Sequence, residues 1–333
     1  MATKSSRRAL TALGLGALLL LAALIAAPIL GGNPLDLGRA LRGEYPDHDI
    51  LFGIRWPRIL LALLAGGALS SAGVLFQALL RDALATPYTL GVTSGASLGA
   101  VVAICFGFGG AAGLPGIWIA ALVGAFAALA LVLAIAGGGR RMSSFSLLLA
   151  GVTINSIAMA FILLLHSSAS FGQSFAITHW LMGGLGSVSY PTLAVLTAVI
   201  LLLVLFLFLR ARAWNVMTAG EEWAAARGIS TRRVLLEGYL CGSLLTATVA
   251  CITGPIGFVG LIVPHALRLR IGSDHRLLLP CSFLYGAAFL IGCDILSRVA
   301  IAPAEIPVGV VTALLGGPVF IALLRSSRKS LWL

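Results

Sequence analysis

Long apolar runs fill most of this 333-residue chain, and the polar segments between them reach only about two dozen residues. A backbone inside a lipid bilayer must satisfy its own hydrogen bonds, so each run is expected to form a helix that spans the membrane. Hydrophobic residues make up 59% of the chain and charged residues only 10%, which leaves no segment for a soluble domain. The sequence therefore predicts an all-α, polytopic membrane protein with a single transmembrane domain over residues 1–333.

Ten membrane spans are predicted, and the looser segment 167–190 is expected to form a short interfacial helix. The first span follows Arg7 and Arg8, and a cleaved signal peptide is the alternative interpretation of this run. Pro255 and Pro264 interrupt the eighth span. The spans cover, in order, about residues 9–29, 58–80, 90–109, 116–136, 145–166, 191–209, 234–253, 254–271, 277–297 and 307–325.

The distribution of basic residues predicts how the chain is oriented. If both termini are cytoplasmic, 17 of the 22 basic residues fall in inner segments, as the positive-inside rule requires. The net charge of +11 is then an orientation signal, and nucleic acid is not expected as a partner. The outer segments hold five basic residues, Arg39, Arg42, Arg55, Arg58 and Arg298.

One long polar segment, residues 210–233, interrupts the apolar sequence and is expected to project into the cytoplasm. Its interior, residues 220–228, is typical of a short helix that begins after one glycine, carries Glu221 and Glu222 in its first turn and ends at another glycine. Three consecutive alanines, 224–226, would give this helix a flat face on which another protein could lie. An ordinary solvated loop is the alternative.

Glycine spacing predicts a close contact between helices. Gly91, Gly95 and Gly99 repeat every four residues and would share one face of the third span. Small residues in that arrangement let two helix backbones approach closely.

Several functions that need clustered polar residues are disfavoured. Only two lysines occur, Lys4 and Lys329, and neither lies in a GxxxxGK[ST] motif, so the chain is not expected to hydrolyse ATP itself. The cysteines and histidines are scattered, which predicts no metal site and no catalytic set. An ion-driven secondary transporter would need acids at mid-membrane, and the only candidates, Asp294 and Glu237, lie toward span ends. Asp294 is expected to pair with Arg298 or another arginine.

Seven stretches of the chain, in consistent order, are specific enough to compare with known families. They are RWPR (55–58), GALSSAGVLFQALLRDALATPYTLGVTSGASLGA (67–100), LLLAGVTINS (147–156), WLMGGLG (180–186), GEEWAAARGI (220–229), GPIGFVGLIVPHALRLRIGSDHRLLLP (254–280) and EIPVGVVTALLGGPVFIALL (305–324). On these motifs, over about residues 54–324, the chain resembles the FecCD-type permeases of type II ABC importers for cobalamin, haem and ferric siderophores. One departure is Asp82-Ala83, where the family usually has Asn-Pro.

The resemblance implies a homodimer of ten-helix subunits in the bacterial cytoplasmic membrane, with the pathway along the two-fold axis. Two ATP-binding cassette subunits, which bind ATP and Mg, would sit at the cytoplasmic face, and a substrate-binding protein at the other. This chain is expected to bind no cofactor of its own. The favoured substrate is an iron chelate, haem or a ferric siderophore, with cobalamin as the alternative. His166 and His179 lie near the predicted outer face and could contact the substrate.

The resemblance also implies roles for particular residues. Three arginines match the family's residues for docking the binding protein, namely Arg55, Arg58 and Arg298. Their alternative role is to anchor the helices at the membrane interface. Those matching the coupling helix that seats in the ATPase are Gly220, Glu221, Glu222, Ala224, Ala225, Arg227 and Gly228. Three residues match the family's inner gate, namely Ser143, Ser144 and Phe145. The alternative is a short loop in which Ser144 caps the fifth span.

Overall fold

The computed structural model describes residues 2–32, 35–82, 84–108, 114–137 and 143–330. Ala83 and the basic pair Arg140 and Arg141, which the sequence interpretation used, lie outside these ranges. The described residues form helices and no β-strand. In chain order the α-helices are α1 (Ala2–Ile29), α2 (Leu37–Leu41), α3 (Asp47–Asp49), α4 (Trp56–Leu79), α5 (Val92–Phe106), α6 (Leu114–Gly137), α7 (Ser144–Ser167), α8 (Phe171–Leu181), α9 (Tyr190–Leu209), α10 (Ala211–Thr218), α11 (Glu221–Ala226), α12 (Thr231–Thr253), α13 (Val259–Ile271), α14 (His275–Val299) and α15 (Val308–Ser330).

Within the described ranges, seven helices are long and apolar enough to cross a membrane: α1, α4, α6, α7, α9, α12 and α14. The helices α5 and α15 are apolar but have shorter apolar stretches, and α13 has only 13 residues. These three match the remaining predicted spans. The all-helical, multi-span fold is therefore confirmed, whereas the count of ten and the cytoplasmic position of both termini stay predictions.

Helix α4 forms the centre of the bundle, and nearly all of its residues are buried. It packs against α12, α13 and α14. Two glycines permit these contacts: a Cβ on Gly73 would overlap the backbone of Gly260 in α13, and one on Gly66 would overlap the backbone of Gly286 in α14. Neighbouring backbones therefore touch α4 directly, which is how helices gain close packing in a membrane.

The predicted glycine contact is confirmed at two of its three positions. Gly95 and Gly99 on α5 lie against the backbone of α6 at Gly124 and Ala120. Gly91 instead precedes α5 with a φ of +83°, a left-handed conformation that favours glycine.

The first helix belongs to the bundle. It packs along α14, where Gly16 lies against the ring of Tyr285 and the Tyr285 hydroxyl donates to the carbonyl of Ala12 at 3.2 Å. The segment after α1 contains α2, α3 and a π-helical turn over Ile50–Arg55 that leads into α4.

The polar segment 210–233 contains two helices where one was predicted. Helix α10 precedes α11 and turns Trp214 and Met217 into the core, where the Trp214 Nε1–H donates to the carbonyl of Leu207 at 2.9 Å. The sequence interpretation missed α10 because its eight residues make only about two turns, too few to establish a periodic pattern. Since α10 is anchored in the bundle, α11 is held close to the ends of the spans.

Candidate functional site

At the end of the bundle that carries α11, here called the inner end, three elements meet around Glu221. The Glu221 carboxylate lies 2.7 Å from the Ser144 hydroxyl and 3.3 Å from the Ser144 backbone N–H, at the start of α7. Arg81, just after α4, lies 3.6 Å from the same carboxylate. The predicted coupling helix and the predicted gate are thus in direct contact.

The three predicted gate residues face different ways. Ser143 caps α7, because its hydroxyl accepts from the backbone N–H of Ser146 at 3.2 Å. Ser144 is buried, and its hydroxyl also lies 2.7 Å from the carbonyl of Leu79. Phe145 is 71% exposed. The alternative in which Ser144 caps this helix is therefore wrong, since Ser143 has that position. Of the three, only Phe145 exposes a large side chain.

The surface of α11 is less uniform than three alanines suggest. Ala224 is fully buried within the helix bundle, so it does not belong to the predicted flat face. Ala225 is exposed, as is Glu222. The Arg227 guanidinium lies 5.9 Å from the centre of the exposed Trp223 ring. The outward surface of α11 therefore combines the exposed Ala225 and Ala226 with an arginine–tryptophan pair. Gly220 and Gly228 flank it, each with positive φ.

A second contact holds the inner end together. The side-chain amide of Asn215 on α10 donates to the Asp274 carboxylate at 2.8 Å. The side-chain oxygen of Asn215 accepts from the backbone N–H of His275 at 2.9 Å. Burial raises the pKa of Asp274, but the hydrogen bonds from Asn215 and from the backbone N–H of Arg276 outweigh it, so the pKa lies below its ordinary value.

At the opposite, outer end, Asp294 on α14 is fully buried between two of the three predicted docking arginines. One carboxylate oxygen lies 2.7 Å from Arg58 and the other 3.0 Å from Arg298. Arg58 also reaches Glu305, at 2.6 Å. The expected pairing of Asp294 with an arginine is confirmed.

These arginines are also tied to the end of α1. The carbonyl of Pro28 accepts from Arg55 at 2.6 Å, and that of Ala27 accepts from Arg298 at 3.1 Å. The last carbonyls of a helix lack partners within it, so both arginines cap α1. Arg55 and Arg298 are 7% and 6% exposed, although the sequence interpretation expected them at an open rim. Docking of a partner on the three arginines stays a prediction.

A pocket of about 250 Å³ opens beside this cluster. His179 on α8, Trp118 and Trp180 line it together with Arg58 and Glu305. His166 is not among the residues that line this pocket; it lies in the last turn of α7. Among the described residues, no group of three or more histidine, cysteine or acidic side chains could hold a metal ion.

The two acids considered for an ion-driven relay are both paired with arginine. Asp294 is described above, and Glu237 contacts Arg210 and, at 2.7 Å, Arg233. The sequence interpretation missed Arg81 and Glu305 as site residues because their partners, Glu221 and Arg58, lie far away along the chain. The signal that could have found them is their position, since each lies within two residues of a predicted span end.

A bundle of apolar helices, with contacting polar groups at each end, defines a multi-pass membrane protein. The FecCD transport family matches residues 12–326, and the chain belongs to this family. The hemin transport system permease protein HmuU of Yersinia pestis is 35% identical over 95% of this chain and 96% of its own length. The vitamin B12 import system permease protein BtuC of Klebsiella pneumoniae is 39% identical over 84% and 83%.

The chain is also similar to a solved structure, an inward-facing conformation of a metal-chelate type ABC transporter. That structure shares 31% sequence identity with a TM-score of 0.83, covering 95% of this chain and 99% of the other. The chain is thus the multi-pass inner-membrane permease subunit of an ABC importer, and its family is not itself enzymatic. An ion-driven transporter is accordingly set aside.

Proposed function

We propose that this chain is one half of a homodimeric permease that moves an iron chelate, haem or a ferric siderophore, into the cytoplasm. Two separate ATP-binding cassette subunits, which bind ATP and Mg, drive the transport, and a substrate-binding protein delivers the cargo at the outer end. The chain itself carries no cofactor. Membership of the FecCD family and the likeness to a metal-chelate type transporter support this assembly.

The observation that carries the proposal is the position of α11. Its Trp223, Ala225 and Arg227 face outward, while Glu221 at its start contacts the first residue of α7. A partner bound to the outward side can therefore act on the start of a span. This is the geometry that a coupling helix on an ATPase needs.

The gate proposal concerns the exposed start of α7. In a two-fold dimer whose axis is the pathway, Phe145 of each subunit would face its copy, and the two rings would form an apolar closure. The capped helix start at Ser143 fixes where the ring projects. Such a closure excludes water and ions, which matters because a path wide enough for a chelate would otherwise dissipate ion gradients.

At the outer end, we assign binding-protein docking to Arg55, Arg58 and Arg298. Arg58 is the most accessible, with a side chain 13% exposed and paired with the half-exposed Glu305. A carboxylate of the binding protein would compete with Glu305 for this guanidinium. The two buried arginines contribute through the positive field of the cluster.

The substrate is assigned by class. His179, with Trp118 and Trp180, lines the outer pocket, and imidazole is a common ligand of haem iron. His166, in the last turn of α7, is a second candidate contact with the substrate. The relative named for hemin covers nearly all of this chain, which favours haem. Cobalamin is the alternative, supported by the relative named for vitamin B12.

Transport into proteoliposomes tests the proposal. The permease, its ATPase and its binding protein would be reconstituted, and uptake of radiolabelled haem, ferric siderophore and cobalamin measured with ATP or with a non-hydrolysable analogue. We expect ATP-dependent uptake of an iron chelate. ATP-dependent uptake of cobalamin alone would move the substrate to the alternative, and uptake that does not depend on ATP would overturn the proposal.

A further inference from the structure

Glu221 joins three parts of the inner end through one carboxylate. It contacts the start of α7 through Ser144, the end of α4 through Arg81, and it is itself the first residue of α11. Its neighbour Glu222 is exposed and forms no ion pair with any described residue. Two adjacent acids on the same short helix therefore have very different surroundings.

The contact with Ser144 is built for an ionised carboxylate. Ser144 offers two donors, its backbone N–H and its hydroxyl, and a carboxylate can only accept. Because α7 begins here, this N–H is one of the donors without a partner inside the helix, at the positive end of the helix dipole. The carboxylate satisfies that donor, as charge-assisted hydrogen bonds do.

The Ser144 hydroxyl has a single proton and two acceptors within reach. Glu221 and the carbonyl of Leu79 each lie 2.7 Å from it. The proton can point to either, so the bond to Glu221 can break while the hydroxyl stays satisfied. Arg81 adds little, since its side chain is 45% exposed and its distance to the carboxylate is 3.6 Å.

We propose that Glu221 is a positioning residue that ties the coupling helix to the gate, so that a displacement of α11 moves the start of α7 through Ser144. This inference rests on the proposed function, because it assumes that α11 meets the ATPase and that Phe145 closes the pathway. Ala224 seats α11 in the bundle, and Glu221 is the residue of α11 that holds the start of α7. Without the carboxylate, α11 can move while α7 stays.

The test reports on the gate directly. A Phe145→Cys reporter, in a chain whose native cysteines are replaced, is labelled with a water-soluble maleimide in the assembled complex, without nucleotide and with ATP and vanadate. With Glu221 present, we expect the labelling rate to differ between the two states. Glu221→Gln keeps an oxygen that can accept from Ser144 but removes its charge, so it should reduce this difference about tenfold, the scale that separates a charge-assisted from a neutral hydrogen bond. Glu237→Gln is the matched control, because it removes an arginine-paired carboxylate near the same end but outside α11, and it should leave the difference unchanged.

Two further variants separate a specific link from a general effect. Glu221→Asp keeps the charge but shortens the side chain by one methylene, so it should uncouple the gate as Gln does; wild-type behaviour would overturn the link. Ser144→Ala removes the hydroxyl, and its combination with Glu221→Gln should be no worse than Glu221→Gln alone. Additive losses would instead mean that Glu221 acts elsewhere.

The outcomes also distinguish this inference from the proposed function. If nucleotide leaves the labelling of the reporter unchanged even with Glu221 present, the gate assignment of the proposed function fails. If nucleotide changes the labelling rate by the same factor with Glu221 and with Glu221→Gln, only the link between Glu221 and the gate is refuted. If Glu221→Gln prevents the ATPase from co-purifying, Glu221 belongs to the docking contact and the link is likewise overturned.

Discussion

Replacing Asp294 by Asn should destabilise the bundle far more than any other single loss of a carboxylate at the outer end. Asp294 is fully buried and neutralises Arg58 and Arg298 at 2.7 and 3.0 Å. After the change, Arg298, which is only 6% exposed, keeps a carbonyl partner at Ala27 but loses its counter-charge. Breaking a buried pair from one side costs about 3–5 kcal/mol, because a charge is left without compensation.

Glu305 provides the matched control. It contacts the same Arg58, at 2.6 Å, but its side chain is 51% exposed. Water can replace such a carboxylate, so Glu305→Gln should cost only about 0.2–1 kcal/mol. The difference between the two variants therefore measures burial, since both remove one negative charge from one cluster.

The native cysteines supply the assay. Cys241, Cys251, Cys281 and Cys293 are buried, so a thiol-reactive fluorescent dye reports their exposure as the detergent-solubilised protein unfolds on heating. Midpoints are compared at one scan rate, because unfolding of membrane proteins is seldom reversible. We expect Asp294→Asn to unfold well below Glu305→Gln. Equal midpoints for the two variants would refute the view that burial makes Asp294 essential.

Three further predictions concern the inner end. Ala225→Arg should place a bulky charge where α11 meets the ATPase, lowering transport without loss of membrane insertion; wild-type levels of substrate-stimulated ATPase activity would count against the assignment. Phe145→Cys, without native cysteines, should cross-link to its copy on oxidation in at least one nucleotide state, since a disulfide needs Cα atoms about 4.4–6.8 Å apart. Ser144→Cys should not cross-link, because Ser144 is buried within its own chain. Cross-linking through Ser144→Cys and not through Phe145→Cys would show that the gate is misplaced. Because the folded pKa of Asp274 is lowered, its stabilising bond to Asn215 should be present above the ordinary value of 3.8 and lost as pH falls below it. Asp274→Asn should remove that part of the pH dependence of the unfolding midpoint, and an unchanged pH profile would contradict the sign.

The spans could be predicted from sequence because the membrane allows few alternatives. An apolar run in hydrocarbon must become a helix, so the predicted 116–136, 145–166 and 191–209 lie within three residues of α6, α7 and α9. The errors fall where water is near. Helix α10 was missed because its eight residues make only about two turns, fewer than are needed to recognise an apolar periodicity in the sequence.

The partners of the charged residues could be predicted only where they are close in sequence. Asp294 and Arg298 are four residues apart, so their pairing on one helix is visible in the sequence. Arg58 lies 236 positions from Asp294, and Ser144 lies 77 positions from Glu221. No pattern in a single sequence connects such residues. For that reason Arg55 and Arg298 were expected at an open rim, when the end of α1 covers them.

Because of burial, rearranging the contacts costs more free energy at the outer end of the molecule than at the inner end. At the outer end, Asp294 and Arg298 are out of water, so separating them would leave charges uncompensated and the frame of α1, α4 and α14 resists change. At the inner end, the Glu221 side chain is 25% exposed, and the Ser144 hydroxyl has a second acceptor in Leu79. Bonds of this kind exchange at low cost. We therefore expect rearrangement within this chain to begin at the inner end, where the contacts are cheapest to break.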